Sequence, residues 1–271
     1  MRENSFYKNL WSIALPVTLQ SLLQSSFGMI DQVMIGQLGA VSIAGIGLGG
    51  KFASMYSVVL GAIAAAAGIM IAQYVGQEND RNLQKGFSVN LLAALILSAV
   101  FTVLGVCVPE ALMGLYTQDA PTIGCGAEYL RIYAASFVPM AGISLLSVLL
   151  RCLDAATLPL VVSFAAVGCN TGLNYLLIFG KCGFPEMGVT GAALASVISQ
   201  VASLLLLLVF FVRIIKNRGV CCISTSVWIR NIAGSMQAFC CRSSSASFCG
   251  ALERMSMQAF TDIWARTPAR R

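Results

Sequence analysis

Residues 191–212 read GAALASVISQVASLLLLLVFFV, a run without one charged side chain, followed by Arg213, Lys216 and Arg218. A bilayer core about 30 Å thick is crossed by about 20 apolar residues rising 1.5 Å each. Lipid offers no partner to a backbone amide, so such a run must satisfy its own hydrogen bonds as a helix. Working outward, five more stretches have this character: residues 13–35, 52–74, 86–108, 130–150 and 158–180. The second can begin earlier, because 41–50 is also mostly small and apolar. The connectors 76–85, 109–121, 151–157 and 181–189 are short and polar. The expected fold is therefore an all-α membrane protein, a bundle of six transmembrane helices.

Composition agrees. Of 271 residues 58% are hydrophobic and 10% charged, against about 25% charged in an ordinary soluble domain. Histidine is absent, which excludes His-ligated zinc and Ser-His-Asp or Cys-His catalysis. No paired buried acids replace it, so an enzyme is not expected. Ten cysteines form no CxxC pair, and Cys107, Cys152 and Cys169 read as small hydrophobes in apolar runs. Gly45 to Gly50 has neither a preceding strand nor a following Gly-Lys-Ser/Thr, so it is no nucleotide loop; its glycines are expected to let helices approach.

The net charge of +6 is scattered singly between apolar runs, which argues against nucleic acid. Counted on alternate connectors, Arg2, Lys8, Arg81, Lys85, Arg151, Arg213, Lys216 and Arg218 share one side; Lys51, Arg131 and Lys181 share the other. The positive-inside bias places both ends of the six-helix region in the cytoplasm, in a cell inner (plasma) membrane. The run after Arg2 and Lys8 exceeds a signal-peptide core and is expected to stay uncleaved.

Past Arg218 the character changes, dividing the chain into a six-helix region, 1–218, and an atypical tail, 219–271. Five of the ten cysteines fall in this tail beside Ser-rich runs, Trp228 and Trp264. Permitted codons of 222–266 read in a neighbouring frame give a basic connector, then an apolar run opening with Leu-Pro, as Leu15-Pro16 does here. A frameshift near Val220 and a truncated transporter are the corresponding expectation.

Of nine acidic residues up to Arg218, only Asp31 falls inside a span. An ionisable group there is costly and by default marks an ion or proton site. At about 100° per residue, Gln20, Gln24 and Asp31 share an arc of roughly 40°, as do Ser163, Asn170 and Asn174 on the fifth span. Asp31 and Asn174 both come out about 25 Å above the cytoplasmic ends of their spans. One carboxylate with two amide oxygens suits Na⁺, and the carboxylate alone suits a proton; both remain open. Ser196, Gln200 and Ser203 share a face of the sixth span. Gln20, Gln24, Ser163, Ser196 and Gln200 are expected to line a cavity, the alternative for such side chains being helix-to-helix hydrogen bonds.

Several motifs occur in order: Ala14-Leu15-Pro16, Asp31 with Met34-Ile35-Gly36-Gln37-Leu38-Gly39, and Ala72-Gln73-Tyr74-Val75-Gly76. Arg151 to Pro159, Asn170-Thr171-Gly172-Leu173-Asn174-Tyr175 and Gly188-Val189-Thr190-Gly191-Ala192-Ala193 follow. Together they resemble the multidrug and toxic compound extrusion transporters, in their NorM-like branch, over residues 5 to 218. The resemblance implies the first lobe of a twelve-helix antiporter exchanging Na⁺ or H⁺ for organic, often cationic, amphiphiles. It implies no cofactor, a coupling cation on Asp31 with Asn170 and Asn174, and a missing C-terminal lobe or a homodimer as partner. Some relatives carry an acid where Asn174 stands. The alternatives are an inactive remnant or interaction subunit, and a lipid-linked saccharide flippase, for which basic cavity residues are few.

Overall fold

The computed structural model describes residues 14–22, 25–26, 32–77, 79–180 and 186–218. The chain divides into two units, 1–220 and 221–271; the second, with the tail, lies outside the described residues. The described residues form helices and no strand. They are α1 (14–22), a helical stretch at 32–36, α2 (Ala40–Gly76), α3 (Asp80–Cys107) and α4 (Pro109–Gly114). Then follow α5 (Ala120–Tyr133), α6 (Phe137–Cys152), α7 (Thr157–Ile178) and α8 (Gly188–Arg218). Five segments are long and apolar enough to cross a bilayer: Ala40–Gly76, Arg81–Cys107, Ala120–Cys152, Thr157–Ile178 and Gly188–Arg213. The remaining expected span, 13–35, is only partly within the described residues.

The outer surface is apolar. Val58 is 74% exposed and Val89 65%, with Leu92, Ile96, Val100 and Val103 beside them on α3. Water would penalise such a surface, whereas acyl chains solvate it. The chain is a multi-pass membrane protein.

The second span has the earlier start that its apolar residues 41–50 allow, and the fourth differs from the single helix expected. The second extends back to Ala40 and has 37 residues, about 55 Å of helix at 1.5 Å per residue. Six glycines before its last residue do not break it, and two of them are packing positions. A Cβ at Gly45 would stand 2.9 Å from the Gly126 amide nitrogen, and one at Gly49 2.7 Å from Tyr129 Cδ1, so α2 and α5 cross with backbones close. Gly47 and Gly50 face open space. Gly39, at φ 98°, makes the bend that admits α2.

The fourth span is two helices joined by a 3₁₀ turn, Ala134–Ser136. Pro139 has no N–H to return to the carbonyl one turn earlier, which loosens the ladder at this joint. Neighbouring side chains serve the joint instead. Tyr56 Oη, fully buried, donates to the Phe137 carbonyl at 2.7 Å, and Thr102 Oγ1 approaches the Ala134 carbonyl at 3.2 Å. Ser98 Oγ lies 2.8 Å from Tyr56 Oη. Tyr56, Phe52, Phe101 and Phe137 pack their rings around it, with Tyr56 and Phe137 centroids 4.5 Å apart. The connector after the third span also holds a short helix, α4, whose Pro109 sits where an N–H is dispensable.

Candidate functional site

Residues seven and four apart return to one face of a helix, so Ser163, Asn170 and Asn174 of α7 look in a common direction. That face meets α8. Asn174, 1% exposed, donates its Nδ2 to Asn170 Oδ1 at 3.2 Å. Asn170 Nδ2 in turn donates to Ser199 Oγ at 3.2 Å, and Ser199 donates to the Ser196 carbonyl at 3.0 Å. The result is a directed chain of donors across two helices. Asn170 Oδ1 accepts one N–H, from Asn174 within α7, and an amide oxygen has a second lone pair for a further donor or cation.

Beside this chain a cavity of about 350 Å³ opens between α6, α7 and α8, with Tyr133 at the end of α5. Its lining mixes the polar side chains of Ser147, Ser163, Asn170, Ser196, Ser199, Gln200 and Ser203 with apolar ones such as Met140, Ile143, Val162 and Leu207. Among the described residues, no side chain lining it carries a full charge. A neutral, half-apolar space of this size suits the body of a small organic molecule. Ser196 and Ser203 also turn their hydroxyls back on carbonyls of their own helix, Ala192 and Ser199, as serines in apolar helices do.

Of the expected cavity residues, Ser163, Ser196 and Gln200 line this space, together with Asn170. Asn174 lies just behind Asn170 and is joined to it. Gln20 does not line the cavity; it is 7% exposed and bridges three helices. Its Nε2 donates to Ser163 Oγ at 3.0 Å, its Oε1 accepts from Arg151 Nη2 at 2.9 Å, and Ser163 passes its own proton to the Pro159 carbonyl at 2.9 Å. Asp31 and Gln24 lie outside the described residues. Among the described residues no cluster of three or more His, Cys, Asp or Glu side chains exists.

Ser147, Ser199 and the apolar lining were not anticipated. Ser199 follows Ser196 by one helical turn, so the α8 spacing contained it; Ser147 and Tyr133 carry no such spacing signal, and only packing brings them to the cavity.

Comparison with known proteins fits this architecture. The profile of the family described as MatE matches residues 16–176, more than half of the sequence. The chain belongs to the MatE family. It is 30% identical over 194 residues to a probable multidrug resistance protein NorM of Thermotoga maritima, covering 71% of this chain and 42% of the relative. It shares 27% identity over 188 residues with the multidrug resistance protein NorM of Burkholderia vietnamiensis, covering 69% and 40%. Its fold matches a MATE crystallised in the bent conformation with a TM-score of 0.67 at 20% identity, over 74% of this chain and 44% of that one. The chain thus spans less than half the length of the MatE relatives it matches.

Proposed function

We propose that the chain is one six-helix lobe of a cation-coupled multidrug antiporter, which exchanges Na⁺ or H⁺ for organic amphiphiles, often cationic, across a cell inner membrane. The observation that carries this reading is the Asn174–Asn170–Ser199 chain alongside a neutral cavity, in a member of the MatE family. Asp31 holds the coupling cation. Asn170 and Asn174 supply neutral oxygens for Na⁺, or hydrogen bonds to a protonated carboxyl. The cavity walls receive the amphiphile's apolar body, and Gln24, Ser163, Ser196 and Gln200 solvate its polar part. Since none of the described residues lining that cavity is charged, Asp31 provides the attraction for a cationic substrate, which makes cation and substrate competitors. Competition of this kind is the basis of exchange.

Both ends of the six-helix region lie in the cytoplasm, by the basic residues counted above. Alternating access moves one repeat against another around a site near the midplane, so the opposing wall comes from a second six-helix lobe or a second copy of this chain. A flippase for lipid-linked saccharide pyrophosphates is disfavoured because no basic side chain stands among the described residues of the cavity wall.

The test is equilibrium binding of radiosodium, and of protons by release into weak buffer, to the chain in lipid nanodiscs. Asp31→Asn is expected to abolish whichever cation binds. Equal binding of both cations by wild type and Asp31→Asn overturns the assignment.

A further inference from the structure

We infer that the Arg151–Gln20–Ser163 bridge is a bolt that closes one end of the cavity, with Arg151 as its positioning residue. Ser163 and Pro159 line the cavity on α7, and Ser147 lines it on α6 one helical turn before Arg151. At this end α1 is drawn in by its Gln20 side chain, which takes a proton from Arg151 and gives one to Ser163. One amide thereby ties α1 to both helices that flank the mouth, and closing the mouth needs no further contact from α1.

The bridge is built to open. Arg151 meets a neutral amide oxygen, and among the described residues no carboxylate pairs with it. Its Nε is buried without an acceptor. A buried donor left unsatisfied is penalised, and it regains water when the mouth opens. An Arg–carboxylate pair would be stronger and would hold the mouth shut. A neutral acceptor and one orphaned donor keep the two states close in free energy, as a moving part requires.

This bolt rests on the lobe reading above only for which face of the membrane it seals. Its test uses the 271-residue chain carrying Gln200→Cys as a reporter inside the cavity, in right-side-out and everted vesicles. A membrane-impermeant maleimide is added, and its reaction at residue 200 is read by mass spectrometry. Arg151→Gln is expected to speed the reaction from the cytoplasmic face about tenfold, equivalent to about 1.4 kcal/mol. Gln20→Glu, which converts the contact into an ion pair, is expected to slow it below the parent rate. Neither change alters the rate from the opposite face. Acceleration confined to the opposite face supports the bolt and overturns the proposed orientation. Equal rates in all three proteins overturn the bolt. So does acceleration by Arg151→Gln from both faces alike, which marks a loosened bundle, and so does a Gln20→Glu chain that reacts as fast as the parent.

Discussion

At the scale of single residues, the chain depends on polar groups that find hydrogen-bond partners across its helices. Tyr56 is the clearest structural case, with no exposed surface and its phenol donating to the Phe137 carbonyl where the fourth span breaks. Tyr56→Phe leaves that carbonyl without its side-chain donor and is expected to cost about 1–3 kcal/mol, read as a lowered thermal midpoint in detergent. An unchanged midpoint would show that the joint is held by ring packing alone. Asn174 is the counterpart in the proposed cation site. Its replacement by Ala removes the proposed oxygen ligand and the donor to Asn170, and is expected to weaken cation binding about tenfold, equivalent to about 1.4 kcal/mol. Affinity equal to that of the parent would remove Asn174 from the site.

At the scale of helices, close approach of backbones does what hydrophobic contrast cannot do in lipid. Two glycines two residues apart on α2 should therefore respond with opposite sign. Gly49→Ala pushes a methyl to 2.7 Å from Tyr129 Cδ1 and is expected to destabilise the α2–α5 crossing by about 1–3 kcal/mol. Gly47→Ala meets nothing within 4 Å and should stabilise α2 by up to about 1 kcal/mol, through helix propensity alone. Thermal unfolding of the two variants compares them directly, and shifts of the same sign contradict the packing assigned to this crossing. The sequence showed the spans because length and apolarity are local properties, and it showed that Ser163, Asn170 and Asn174 share a face because helical rotation is regular. It did not show which glycine touches a neighbour, that Gln20 would turn to Arg151, or that Ser147 and Tyr133 would reach the cavity. Those depend on the crossing of helices far apart in the chain. The break at Pro139 was signalled by the proline itself, yet the run of apolar residues around it reads as one uninterrupted span.

At the scale of the whole molecule, the chain is a membrane bundle of the MatE family whose cavity has a mixed polar and apolar lining. The residues after Arg218 carry a different composition, and the frameshift proposed for them has a simple consequence. The nucleotide sequence downstream of the Val220 codon is expected, in the neighbouring frame, to encode further apolar spans; a frame closed by early stop codons would exclude it. The central claim is the proposed coupling: a cation on Asp31 and an amphiphile in the cavity exclude one another, and the exclusion is reciprocal. It is tested most directly by titrating a cationic fluorescent dye onto the nanodisc-held chain at rising Na⁺ and at falling pH. Dye affinity should fall with one of these cations in the parent protein and become indifferent to it in Asp31→Asn. Dye binding that ignores both cations in the parent, or that keeps the same dependence in Asp31→Asn, would contradict the claim.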